Sequence, residues 1–172
     1  MISGFPQPGE YAPGFAGYIE KVRAVTDPVT TLQEQLTETM DLLQKWPEAK
    51  RLSRYASEKW SVQQLLGHLT DTERIFACRA LRIARGDQTP LPGFAENDYV
   101  AAAHAEAASW AALLDEFALV RQANVAMLRN FPAEAWTRQA TVNGATTSVR
   151  ALAYIMAGHL AHHLDILRDR YV

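Results

Sequence analysis

The chain has 172 residues, 48% of them hydrophobic and 21% charged, with a net charge of −2 and one cysteine. Length and composition fit one soluble domain with a sizeable core. The near-neutral charge, without a basic stripe, excludes a nucleic-acid footprint, and no apolar run is long enough to span a membrane.

The hexapeptide Met1-Ile2-Ser3-Gly4-Phe5-Pro6 lacks the charged and apolar regions of a signal peptide. With the single Cys78, which excludes an internal disulfide framework, this predicts a cytoplasmic protein. Cys78 lies among Ile75, Phe76, Ala80 and Leu81 and is expected to be a buried small apolar residue. Residues 1–27, rich in Gly, Pro and aromatics, predict an irregular arm packed on the body, with one helical turn around Tyr18. Residues 28–172 are expected to form the bundle.

Asp27-Pro28 is a cap followed by proline at the first helical position. Val29, Leu32, Leu36, Met40, Leu43 and Trp46 continue at helical spacing until Pro47. The second helix starts at a capping box, Ser61 and Gln64, with Trp60 and Leu65 at staple positions, and stops at Gly86. Asp87 to Phe94 carries two prolines, so residues 86–107 form a long connection with about one turn inside it. The third helix carries Trp110, Leu113, Phe117, Val120, Asn124, Met127 and Phe131 as a heptad seam with one polar member. Asn143-Gly144 between β-branched residues reads as a small hairpin or a tight loop. The fourth helix starts after Ser148 and runs to Tyr171. The fold class is therefore all-α, a four-helix bundle.

Four of the five histidines fall on two helices: His68 on the second, and His159, His162 and His163 on the fourth. At about 1.5 Å rise per residue, His68 lies roughly 10 Å from the start of its helix and His163 roughly 10 Å from the end of its own. Antiparallel packing brings them to one depth, whereas parallel packing separates them by about 12 Å. The 86–107 connection is what a parallel crossover between helices two and three needs, so the order is up-down-down-up.

His159 pairs on its helix face with His163, about 40° away, or with His162, about 60° away on the other side. Either pair could chelate; His163 is preferred because it matches His68 in depth. The other class of reading is a metal-free helical protein with satisfied core histidines, and His104 is assigned there. Leu65, Met156 and Leu160 stand where a di-iron Glu-x-x-His motif needs glutamate, and Leu160 where a zinc protease needs its base. No Cys-x-x-Cys-His motif supports c-type haem. Three neutral imidazoles with an open position suit a catalytic zinc, nickel, copper or iron ion. Asp71, three residues after His68, is the candidate base or orienting carboxylate, against a solvated carboxylate paired with Arg74. Glu73 is expected in a structural ion pair.

These motifs resemble a known family. The segment Lys59-Trp60-Ser61-Val62-Gln63-Gln64-Leu65-Leu66-Gly67-His68-Leu69-Thr70-Asp71-Thr72-Glu73-Arg74 is similar to the first signature of the DinB/YfiT-like superfamily. Arg85 to Phe94 and Gly158-His159-Leu160-Ala161-His162-His163-Leu164 resemble its later landmarks. The resemblance implies a dimeric up-down-down-up bundle binding nickel or zinc through His68, His159 and His163. It also implies an S-transferase or isomerase using a low-molecular-weight thiol such as bacillithiol, mycothiol or glutathione. A metal-dependent hydrolase and a non-catalytic, metal-stabilised stress-response module are the alternatives. One departure is Ala95 after Phe94, where relatives often carry an acidic residue.

Overall fold

In the computed structural model, residues 4–171 are described; Met1, Ile2, Ser3 and Val172, the extremes of the expected arm and bundle, lie outside them. The helices are α1 (Ala16–Lys21), α2 (Pro28–Gln44), α3 (Val62–Ala84), α4 (Glu96–Ala103), α5 (Trp110–Arg129) and α6 (Val149–Arg170). The two strands are β1 (Gln139–Val142) and β2 (Ala145–Ser148).

The bundle consists of α2, α3, α5 and α6, with α3 and α2 each packed against both α5 and α6. Hydrogen bonds between helix ends report the directions. Trp110 at the start of α5 donates to the Leu43 carbonyl near the end of α2, so these two are antiparallel. Gln63 at the start of α3 donates to the Ala105 and Ala108 carbonyls just before α5, so α3 and α5 are parallel. Tyr171 after α6 donates to the Trp60 carbonyl before α3, so α3 and α6 are antiparallel. The topology is up-down-down-up, and residues 86–107 form the crossover.

The local signals act as expected where a cap supplies them. The Asp27 side chain accepts from the Val29 amide, and Ser61 and Gln64 satisfy each other's amides as a full capping box. Asn143 and Gly144 have φ of 48° and 78°, the paired left-handed turn that closes the β1–β2 hairpin. Leu91 of the crossover exchanges backbone hydrogen bonds with Thr141 and Asn143, tying that connection to the hairpin.

Three expectations are corrected. The crossover holds more than one turn: α4 is two turns long, with Glu96 and Asp98 in its first turn and His104 ending it at φ 48°. Cys78 is exposed. It shares a helix face with Arg74 and Arg82, four residues either side, while Phe76, Ala77, Ala80 and Ile83 form the buried stripe. On α5 the seam runs through Leu114, Phe117, Arg121, Val125 and Leu128, and Val120 and Met127 are only half-buried. A straight helix drifts about 20° per heptad against a strict seven-residue repeat, which rotates Val120 out and Arg121 in.

Two apolar clusters fill the interior. One joins Ile19, Leu32, Phe76, Val125, Tyr154 and Ala157; the other joins Leu43, Leu66, Leu69, Phe117, Leu160 and Leu164. His159 falls at their junction, between Ala157 and Leu160. No helix among the described residues is long and apolar enough to cross a membrane.

Candidate metal centre

The capping box sets where α3 begins and thereby sets His68 two turns inside it. On α6, Ser148 accepts from the Ala151 amide and opens the helix that carries the other histidines. Gly158 has a further role. A Cβ there would lie 2.0 Å from the Tyr18 carbonyl oxygen, so only glycine lets α1 pack this closely. That approach seats the Tyr18 ring 5.3 Å from the His159 ring.

The structure brings together His68, His159 and His163. His68 Nε2 and His163 Nε2 each lie 3.1 Å from His159 Nε2, and the three ligand atoms all fall within 4.8 Å of one another. All three residues are buried, at 3%, 4% and 8% exposure. Burial pushes the His68 imidazole down to about 4. Burial, reinforced by His68 and His162, pushes His163 down to about 3. His159 is held well below its ordinary value by burial first, and then by its histidine neighbours and Arg121. The three rings are therefore neutral at physiological pH.

Neutral imidazoles alone satisfy this arrangement poorly. His159 Nε2 carries either one proton or one lone pair, yet it faces two ring nitrogens. As a donor it can serve only one of them, and as an acceptor it must share a single lone pair. A cation removes the conflict, because all three nitrogens then present lone pairs to one centre. Ligand nitrogens about 2.1 Å from a tetrahedral ion lie roughly 3.4 Å apart, close to the spacing found here. The residues fit a three-imidazole metal site.

Thr72 Oγ1 lies 3.5 Å from His68 Nδ1, a long contact one turn along α3. His163 Nδ1 is buried with no hydrogen-bond partner among the described residues. The walls are aromatic: the Trp60 ring lies 4.6 Å from His68, and Tyr18 and Phe76 flank His159. A cavity of about 240 Å³ reaches His163, lined also by Tyr55, Trp60, Leu65, Asn97 and Tyr171.

The remaining candidates fall elsewhere. His162 is half-buried against Tyr18, and His104 is exposed on the crossover. Asp71 is half-exposed, with Arg74 3.7 Å away, and burial raises its carboxyl pKa. Glu73 makes an ion pair: its Oε1 lies 2.9 Å from Arg121 Nη2, and Asn124 donates to its Oε2 and to its carbonyl. Arg121 is fully buried. Burial raises the Glu73 pKa and lowers that of Arg121, each opposed by the other's charge.

Sequence reasoning missed Thr72, Tyr18 and Arg121. The i+4 spacing from His68 could have found Thr72. Nothing local could have found Tyr18, whose place depends on α1 docking at Gly158.

No curated protein matches the chain. Among solved structures, the fold is similar to that of YfiT from Bacillus subtilis, with a TM-score of 0.73 and 17% identity over 94% of each chain. That protein is described as a probable metal-dependent hydrolase with an unusual four-helix bundle topology. A sequence model of the DinB superfamily matches residues 31–167, most of the chain. This protein belongs to the DinB superfamily.

Proposed function

We propose that the protein is a metal-dependent enzyme in which His68, His159 and His163 hold one divalent ion, zinc or nickel, with iron and copper as further fits. Its reaction is the transfer of a low-molecular-weight thiol to a small electrophile. The observation that carries this reading is the convergence of three buried, neutral imidazoles beside a cavity that reaches His163. An ion held there lowers the pKa of a thiol or a water and polarises an acceptor.

The protein's own groups do the rest. Burial keeps the three rings deprotonated, so each offers a lone pair without first losing a proton. Thr72 steadies His68 from its Nδ1 side. Trp60, Tyr18 and Phe76 exclude water around the rings, and the substrate enters along His163. Asp71, the carboxylate weighed as a base, faces Arg74 outside the cavity lining and takes no part in this reading. Asp71→Asn then leaves both turnover and metal content unchanged.

A hydrolytic reading stands second, favoured by what the similar Bacillus protein is described as. One experiment separates the readings, using protein purified without a histidine tag and loaded with cobalt. S-transfer predicts a visible spectral change with 2-mercaptoethanol or glutathione and thiol-dependent consumption of 1-chloro-2,4-dinitrobenzene, both lost in His68→Ala. Thiol-independent ester cleavage moves the assignment to hydrolysis. Stoichiometric metal without turnover leaves a metal-stabilised module, and no metal uptake ends the whole reading. The proposal includes a homodimer in the cytoplasm, and light scattering checks the dimer directly.

A further inference from the structure

We propose that Trp60 is the specificity-determining wall of this site, shielding His68 so that ligands reach the histidines only along His163. The consequence for substrate choice rests on the metal-dependent reading above. The access claim itself needs no metal.

The indole is held from both ends. Its ring lies 4.6 Å from the His68 ring, in contact with it. Its Nε1–H donates to Asn97 Oδ1 at 3.2 Å, on α4 of the crossover, which packs against α3. Its own carbonyl accepts from Tyr171 Oη, so the backbone at this position is tied to the end of α6. Of the three histidines, His163 alone lines the cavity, and Trp60 lines it beside His163. Tyr18 and Phe76 cover His159. His68 is thus 3% exposed although it lies only two turns from the open end of α3.

Shape follows from this placement. A ligand that joins the three nitrogens enters a cavity walled by both the indole and His163, and in this proposal the indole selects a narrow reacting end over a branched one. The ligand class is a thiol on an unbranched carbon. Asn97 is exposed, and α4 buries only Val100. The crossover therefore sets the indole through one solvent-accessible hydrogen bond, which makes Asn97 the tuning position.

The test uses metal-free protein and diethylpyrocarbonate, with site-by-site modification read by mass spectrometry and normalised to exposed His104. In the wild type, His163 reacts first and His68 lags. Trp60→Ala raises the His68 rate roughly tenfold, and Asn97→Ala raises it roughly fivefold, as expected for loss of one net hydrogen bond. General loosening would raise His159 and His163 together with His68, so the ratio of His68 to His163 is the reading that matters. Equal reactivity of His68 and His163 in the wild type, or a ratio that neither variant changes, overturns the proposal. A second arm compares cobalt-loaded proteins with 2-mercaptoethanol and with tert-butyl thiol. The wild type prefers the unbranched thiol roughly tenfold or more, as a pocket sensing extra methyl groups does, and Trp60→Ala loses that preference. Equal responses in the wild type overturn the ligand class. Failure to take up cobalt removes the metal-dependent reading and leaves the carbethoxylation result to judge access.

Discussion

Acidification of the metal-free protein is expected to destabilise it steeply, and the three histidines supply the reason. An unfolded imidazole titrates near 6.5. In the fold, His68 is pushed down to about 4 and His163 to about 3, and His159 shifts in the same direction. Below pH about 6.5 the unfolded chain therefore binds protons that the folded chain refuses. The stabilising contribution is complete above that pH and is lost progressively as pH falls towards the folded values. At pH about 5, His68 and His163 each cost about 2 kcal/mol relative to pH about 8, or about 4 kcal/mol together. Little solvent screening applies, since neither residue is more than 8% exposed. Such a loss is a large share of the roughly 5–15 kcal/mol that holds a typical domain folded. Urea unfolding in the presence of a chelator, followed by far-UV circular dichroism across this pH range, measures it. The double variant His68→Gln/His163→Gln should flatten the pH dependence by about two titrating protons. A wild-type stability that is level across the range, or a double variant as steep as the wild type, refutes the reasoning.

The buried pair of Glu73 and Arg121 gives a second prediction. Glu73→Ala leaves a buried guanidinium uncompensated and should cost about 3–5 kcal/mol, whereas Glu73→Leu combined with Arg121→Met should restore most of it; both are read from urea midpoints. The third concerns the close contact at Gly158, where a Cβ has no room against the Tyr18 backbone. Gly158→Ala should cost about 1–3 kcal/mol and raise hydrogen exchange in α1 selectively, with α3 and α5 unchanged.

Much of the fold was legible because its signals are local. Asp27-Pro28, Ser61 with Gln64, and Ser148 each satisfy amides within one turn, so the starts of the bundle helices could be read from neighbouring residues. The histidine depths carried the topology as well, because a fixed rise per residue turns sequence distance into height. Cys78 and Arg121 were not legible in the same way. Apolar neighbours in sequence suggested a buried thiol, but a helix turns about 100° per residue and Cys78 faces outward with Arg74 and Arg82. Arg121 falls on the buried face because the α5 helix drifts off the heptad repeat, and its charge is tolerated only because Glu73 of another helix meets it.

The candidate site divides along the same line. By itself the sequence determined that His68, His159 and His163 can share one depth and one side of an antiparallel pair, since this follows from helical pitch alone. Only the tertiary structure decided that their Nε2 atoms meet, that burial keeps them neutral, and that His163 faces a cavity while Trp60 shields His68. Those properties depend on desolvation and on contacts between residues distant in sequence: Tyr18 reaches His159 through the gap at Gly158, and Asn97 of the crossover holds the Trp60 indole. No local pattern encodes such contacts, because each exists only once the helices have packed.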